Sequence, residues 1–346
     1  MSGFDPGFSS VRTQGIFSNE ARVARMLEVE SALAGAQAEV GLIPAEGAAA
    51  IAAVCALLPS EPEIIIRAGW QMGTVVVPLL EWVRRRLDVD QARWLHRGAT
   101  TQDIVDTALV LQMRDGIDAI VQSLDAIVAR VKALMESDGT IQVLGRTFLQ
   151  CAVPMAIGVR FAGWLAGFEA GRERLLGCRA ALPLQLGGPV GDAAKSPEIG
   201  SAVAIGLGRA LRLRVPSRAW HTDRTPVVDV IGALDRAVTA AAKCAWDVVL
   251  LAQTEISEVS VRAGTSSAMP HKRNPADAMQ ALAAAEAFRG VASIVLRSPP
   301  PMLERGLGGW HAEAFAVPMS FHTAAAAMEA TREGLDHLQV CKTNAS

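Results

Sequence analysis

The sequence predicts an all-α fold built as a bundle of long helices. Three observations carry this. Apolar residues recur at spacings of three and four through long segments, those segments are rich in alanine, and almost no strand signal or strand–helix–strand rhythm interrupts them.

Taken in order, residues 18–95 hold the shorter helices. Ser18 stands as an N-cap with Gly41 after the last turn, and further helices are predicted over 45–57 and 72–87. These read as a small helical domain, residues 1–95, ahead of a central five-helix bundle domain, residues 96–346. The first bundle helix is predicted over 103–135, where Ile117, Ile120, Leu124, Ile127, Val131 and Leu134 keep the spacing of a bundled seam. It would be roughly 50 Å long at about 1.5 Å per residue. The second lies between Pro154 and Arg179, with Gly163, Gly167 and Gly171 repeating every four residues. Glycine inside a helix costs about 1 kcal/mol relative to alanine, so the stripe predicts close approach of a neighbouring backbone. The third starts at Thr225-Pro226, an N-cap followed by proline at the first helical position, and runs to about 261. Asn274-Pro275 opens the fourth in the same way, to about 296, and the fifth covers 318–338.

Composition excludes several classes of function. The 346 residues are 51% hydrophobic and 20% charged with a net charge of −2, which gives no strong field for nucleic acid. The one dense basic run, Arg84 to Arg86, sits beside Asp88 and Asp90 and reads as a solvated helix face. Five cysteines without CxxC spacing fit free thiols in a reducing cytoplasm. The N-terminus lacks the pattern of a signal peptide, and the apolar run 151–168, broken by Pro154 and Arg160, reads as a buried helix and not a membrane span. The six histidines form no HExxH pair and no zinc spacing, so no metal is expected. "LGGPVGD" at 186–192 has no preceding strand and no GxGxxG order; it reads as a tight inter-helix turn, and no cofactor is expected.

Polar chemistry is confined to three helix breaks. "HRGATTQD" at 96–103 places Thr100, Thr101 and Gln102 at the start of a long helix, where unpaired N–H groups and the positive dipole end can hold a carboxylate, although a simple N-cap explains the residues as well. "GRTFLQ" at 145–150 sets Arg146, Thr147 and Gln150 just ahead of a buried helix, with capping again the plain alternative. "GTSSAMPHKRNP" at 264–275 is a loop by its Gly264, Pro270 and Pro275; Ser266, Ser267, Lys272 and Asn274 either face a ligand or, for Lys272, the solvent.

This last stretch resembles the signature loop GSSxMPxKxNP of the fumarase, aspartase and adenylosuccinate lyase superfamily. "GATTQDIVDT" is similar to that superfamily's TSxD-type region and "GRTFLQCAVP" to its THxQxAxP-type region, in the same order, and the likeness runs from "FSNEARVARMLEVESALAGAQAEVGLIP" to "ERGLGGWHAE". Within it, "MLEVESALAGAQAEVGLIP", "RTFLQ", "WHTDR" and "GGWHAE" resemble the 3-carboxy-cis,cis-muconate cycloisomerases, lactonising enzymes of protocatechuate (β-ketoadipate pathway) degradation. Two departures stand out. Phe148 replaces the histidine of THxQ and cannot exchange a proton, which speaks against a lyase and agrees with the cycloisomerase branch, where an apolar residue is also expected. The chain ends soon after the fifth helix, so the superfamily's C-terminal helical domain is expected to be truncated or absent.

The resemblance implies an aci-carboxylate intermediate, which needs a fixed cation and hydrogen-bond donors more than a cofactor. It implies catalytic roles for Ser266 as proton carrier, Lys272 as cation and Asn274 as donor. A serine hydroxyl moves protons only where its loop closes and excludes water, and Gly264 suits a hinge. Thr100, Thr101, Gln102 and Gln150 match substrate-binding motif positions, and His221, Arg224 and Arg305 lie in cycloisomerase-like segments, with helix capping or a surface ion pair the alternative for the arginines. His96 is expected to be satisfied by backbone groups and His271 to be structural. The superfamily assembles as homotetramers around a twenty-helix core, each site drawing its three motifs from three subunits, with a small polycarboxylate as partner and neither nucleic acid nor membrane. Open alternatives are an adenylosuccinate lyase-like C–N lyase, a sulfomuconate cycloisomerase and a catalytically silent relative.

Overall fold

The computed structural model describes residues 6–193, 199–264, 269, 272–298 and 300–341. A single turn of 3-10 helix, Pro6–Phe8, leads into α1 (Val11–Ile16), capped by Ser10. Then follow α2 (Asn19–Glu39), α3 (Ala45–Cys55), α4 (Pro62–Met72), α5 (Val76–Arg84) and α6 (Val89–Ala92). Ser18 caps α2 by accepting from the Ala21 N–H, as its position predicts. The helix expected over 72–87 begins later, at Val76, because Gly73 adopts the left-handed conformation (φ +72°) that ends α4, a helix the sequence reading did not anticipate.

The long helices are α7 (Thr101–Asp138), α8 (Gly158–Ala181), α10 (Thr225–Leu251), α11 (Ala276–Leu296) and α12 (Gly309–Asp336), with α9 (Ser201–Leu211) packed on α2. Arg224 and Trp310, which open α10 and α12, both reach Asp106 near the start of α7, while Arg130 of α7 donates to Leu335 O at the far end of α12 (2.9 Å). These three helices therefore run the same way. Helix α8 opposes them, leaving the end of α7 where the Gly158 N–H meets Gly139 O (3.0 Å). Helix α11 opposes them too, since Arg262 bridges Asp277 at its start to Glu333 at the end of α12. By length and composition α11 alone among the described helices could cross a membrane; here it lies between α10 and α12.

Three further departures from the sequence reading follow. Helix α10 stops at Leu251 and not near 261. Helix α12 starts ahead of Pro318, which lies inside it: burial of Ala316, Val317 and Phe321 offsets the one hydrogen bond that proline removes. Residues 145–156 are not a helix approach but a β-hairpin, β1 (Gln142–Thr147) with β2 (Gln150–Ala156). Two short pairs complete the far end, β3 (Val259–Ser260) with β6 (Gln339–Val340) and β4 (Ala263–Gly264) with β5 (Asn274–Pro275).

The glycine stripe of α8 meets α10 at two of its three positions. A Cβ on Gly171 would lie 3.0 Å from Ala237 Cα, and one on Gly167 3.2 Å from Ala240 Cβ, whereas Gly163 has open space. Urea unfolding is expected to show Gly171→Val losing about 1–3 kcal/mol through overpacking, and Gly163→Ala losing nothing or gaining up to about 1 kcal/mol of helix propensity. Equal losses at both positions would remove close packing as the reason for the stripe.

Candidate active site

The first polar break folds into a sealed network at the head of α7. Thr100 is the N-cap, and its N–H donates to Asp103 Oδ2 (3.0 Å). Asp103, 1% exposed, also accepts from the Gly187 and Gly188 N–H groups (2.8 and 2.9 Å) and lies 2.8 Å from His221 Nε2. The "LGGPVGD" turn has to be glycine-rich here. A Cβ on Gly187 would fall 2.6 Å from His221 Cε1, and Gly188 holds a φ of +66°.

One turn further along, Asp106 accepts from Gln102 Nε2 (3.1 Å), Gln185 Nε2 (3.2 Å), Trp310 Nε1 (2.8 Å) and both terminal nitrogens of Arg224 (2.8 and 3.0 Å). Arg224 donates on to Glu313 (2.9 and 2.5 Å) and lies over the Trp220 ring. Burial opposes the charge on Arg224, but Asp106 and Glu313 outweigh it and hold the guanidinium above its ordinary value. Burial pushes the Glu313 carboxyl up against the pull of Arg224, and the neighbouring Asp106 charge adds to the rise.

Arg305 closes the network from the α11–α12 connection. It donates to Gln102 Oε1 (2.9 Å), Thr100 Oγ1 (3.1 Å), Gly188 O (3.1 Å) and Pro189 O (2.8 Å). Gln102 Nε2 also donates to His221 O (2.9 Å), so both ends of that amide are committed. Four residues that the sequence marks as substrate contacts, Gln102, His221, Arg224 and Arg305, thus hold one another and the loops; Thr100 and Thr101 stay partly accessible. His221 Nδ1 is buried with no partner among the described residues.

His96 lies just ahead of this network at φ +62°. Its partner is not backbone, as the sequence reading expected, but the Glu30 carboxylate of α2, 2.6 Å from Nδ1.

The other two breaks sit at the opposite end of α7. Arg146 and Arg160 bind the buried Glu258 carboxylate (2.7 and 3.4 Å), which ties the hairpin to the segment after α10. Gln150 is exposed beside a two-residue loop, Phe148 and Leu149, both at positive φ. Gly264 and Asn274 pair across β4 and β5, closing the signature loop at its base. Asn274 is half-buried and Lys272 exposed, while Ser266, Ser267 and His271 lie outside the described residues.

Asp103, Asp106, Gln185, Glu258, Trp310 and Glu313 were not singled out from the sequence. Asp103 at the third helical position after Thr100 carried a capping-box signal. The others have most of their partners 79 to 204 positions away, which leaves no local mark.

The structure is an all-α bundle of long helices with its polar side chains gathered at the breaks, an acid-rich helix start at one end and Lys272 at the other. The family model described as lyase matches residues 10–293. The 3-carboxy-cis,cis-muconate cycloisomerase of Pseudomonas aeruginosa is 35% identical, covering 97% of this chain and 75% of its own length. That of Acinetobacter baylyi is also 35% identical, over 95% and 75%. The crystal structure of the 3-carboxy-cis,cis-muconate lactonizing enzyme from Pseudomonas putida superposes with a TM-score of 0.90 at 33% identity, covering 98% of this chain and 77% of that one. The chain belongs to this lyase family, within the fumarase/aspartase superfamily.

The His96–Glu30 pair gives a pH dependence. Burial alone would lower His96, but the Glu30 carboxylate wins and holds it above 6.5. A raised folded value contributes stability that is whole below the unfolded pKa and is lost as pH rises through the folded one. Wild-type stability is therefore expected to fall more steeply than that of His96→Gln as pH rises above about 6.5, read from urea midpoints; parallel profiles would exclude the pair as a source.

Proposed function

We propose that the chain catalyses cycloisomerisation of 3-carboxy-cis,cis-muconate to 4-carboxymuconolactone, the activity for which relatives that match it over nearly its whole length are named. That chain-length likeness is the observation that carries the reading. The substrate's own carboxylate adds to the diene. The developing aci-carboxylate is steadied by the Lys272 ammonium and the Asn274 amide, and Ser266 delivers the proton to the adjacent carbon. Thr100 and Thr101, partly accessible at the head of α7, and Gln150, exposed on the hairpin, bind the remaining carboxylates. Gln102, His221, Arg224 and Arg305 act on substrate through the residues they hold in place. Phe148, an apolar side chain at the tip of the hairpin, supports cyclisation over C–N cleavage, because the internal carboxylate needs no base to make it nucleophilic.

The assembly we infer is a homotetramer in which three subunits supply the three motifs of each site, with residues 1–95 as a cap on the central domain 96–346. Within one chain the head of α7 and the signature loop lie at opposite ends of the bundle, so a site that uses both takes them from different copies.

Ultraviolet loss of the conjugated diene of 3-carboxy-cis,cis-muconate, run beside adenylosuccinate, tests the activity; consumption of adenylosuccinate alone would sink it. Ser266→Ala is expected to lower turnover by at least about a thousandfold with the oligomer intact. Sharing has its own readout. Ser266→Ala and Thr101→Val, each inactive, are expected to recover about a quarter of wild-type activity after mixed refolding, as random assortment of copies predicts. No recovery would place every motif of a site on one chain.

A further inference from the structure

Against the Asp106–Glu313 side of the network, a cavity of about 100 Å³ opens between α2, α4, α7 and α12. Its walls are mostly hydrocarbon and aromatic: Met26, Ile66, Trp70, Val105, Leu109 and Trp310. Arg22, in the first turns of α2, also lines it, and among the described residues no hydrogen bond or ion pair reaches its guanidinium. Burial pushes the Arg22 guanidinium below its ordinary value, the direction expected of a cation without a counter-charge. The two carboxylates in the same wall, Asp106 and Glu313, are already committed to Arg224. Thr101 faces the cavity as well, and its hydroxyl makes no hydrogen bond among the described residues.

A half-buried guanidinium without a counter-charge among the described residues gains from an anion, and an apolar wall offers it none. Both are satisfied at once by an anion with a hydrocarbon body. We propose that this cavity binds a small monocarboxylate, its carboxylate on Arg22 and its apolar body against Trp70 and Trp310. Size narrows the class. Apolar cavities of roughly 150 Å³ hold a benzene ring, so this one takes a body of about three or four carbons, a short aliphatic acid. The site lies away from the signature loop but borders Thr101, one of the substrate contacts proposed above, at the head of α7.

Isothermal titration of the full chain with butyrate tests it, with butan-1-ol as the uncharged control. Butyrate is expected to saturate one site per chain, with at least tenfold weaker binding to Arg22→Met and no saturable binding of the alcohol. Trp70→Ala, at the rim and 67% exposed, removes a wall without opening the core and is expected to weaken butyrate at least fivefold; it serves as the test should Arg22→Met fail to fold. Butyrate binding equally well to wild type and to either variant overturns the proposal. So does an absence of butyrate binding together with loss of the oligomer in Arg22→Met by light scattering, which would assign the counter-charge of Arg22 to a carboxylate of another copy.

Discussion

Asp106 is fully enclosed, yet it accepts from Gln102, Gln185, Arg224 and Trp310, and through Arg224 it shares one positive charge with Glu313. The helices meeting there, α7, α10 and α12, all begin at this end, so their positive dipole ends converge and favour buried carboxylates. Arg224 balances what the dipoles leave over. Two acids on one arginine make a linkage that fixes register: sliding any of the three helices by a turn would strand a buried charge, at a cost of several kcal/mol. The wider polar architecture rests on this constraint. With Asp106 fixed, Asp103 is set one turn earlier, and it in turn holds the Gly187–Gly188 turn and the His221 ring.

The same rigidity separates the chemistry. Helix α7 has 38 residues, roughly 57 Å at about 1.5 Å per residue, and carries the Thr100–Asp106 network at one end and the hairpin at the other. Nothing in a packed bundle shortens that distance, because interiors of this density shift by fractions of an ångström and not by helix lengths. An active site needing both ends is therefore a matter of assembly. Running α8 and α11 against α7, α10 and α12 leaves each chain with one end rich in carboxylate–arginine pairs and the other bearing the hairpin and Lys272. Chains associating head to tail would bring such ends together.

Much of this was legible in the sequence, and the reasons for the rest are physical. The α7 seam from Ile117 to Leu134 gave the helix within a few residues, because all six apolar positions are buried on one stripe. The hairpin left no trace. Residues Gln150 to Pro154 of β2 are all exposed, so no alternation of apolar and polar residues marks the strand, and Phe148-Leu149 is not the Asn-Gly pair that announces a two-residue turn. Arg224 and Arg305 were reached through likeness to known segments, but their work as clamps was not, since Asp106 and Glu313 look like ordinary helix acids until three helices are brought together. His96 shows the same limit: its partner, Glu30, is 66 residues away on another element.

The hairpin tip carries the argument one step further. Phe148 is 99% exposed at φ +51° and Leu149 follows at φ +64°, a conformation that costs non-glycine residues about 1 kcal/mol or more apiece. Val153 on the same ribbon is also mostly exposed. Glycine or asparagine in the turn would relieve the strain, and polar residues would relieve the exposure, so the isolated chain gains nothing from this choice. Burial of a phenylalanine and a leucine side chain against another surface returns roughly 2 kcal/mol each, enough to offset the turn. The residues that make the hairpin unfavourable alone are those that would make it favourable in an assembly, set beside Gln150, where we infer that another copy contributes the rest of the site.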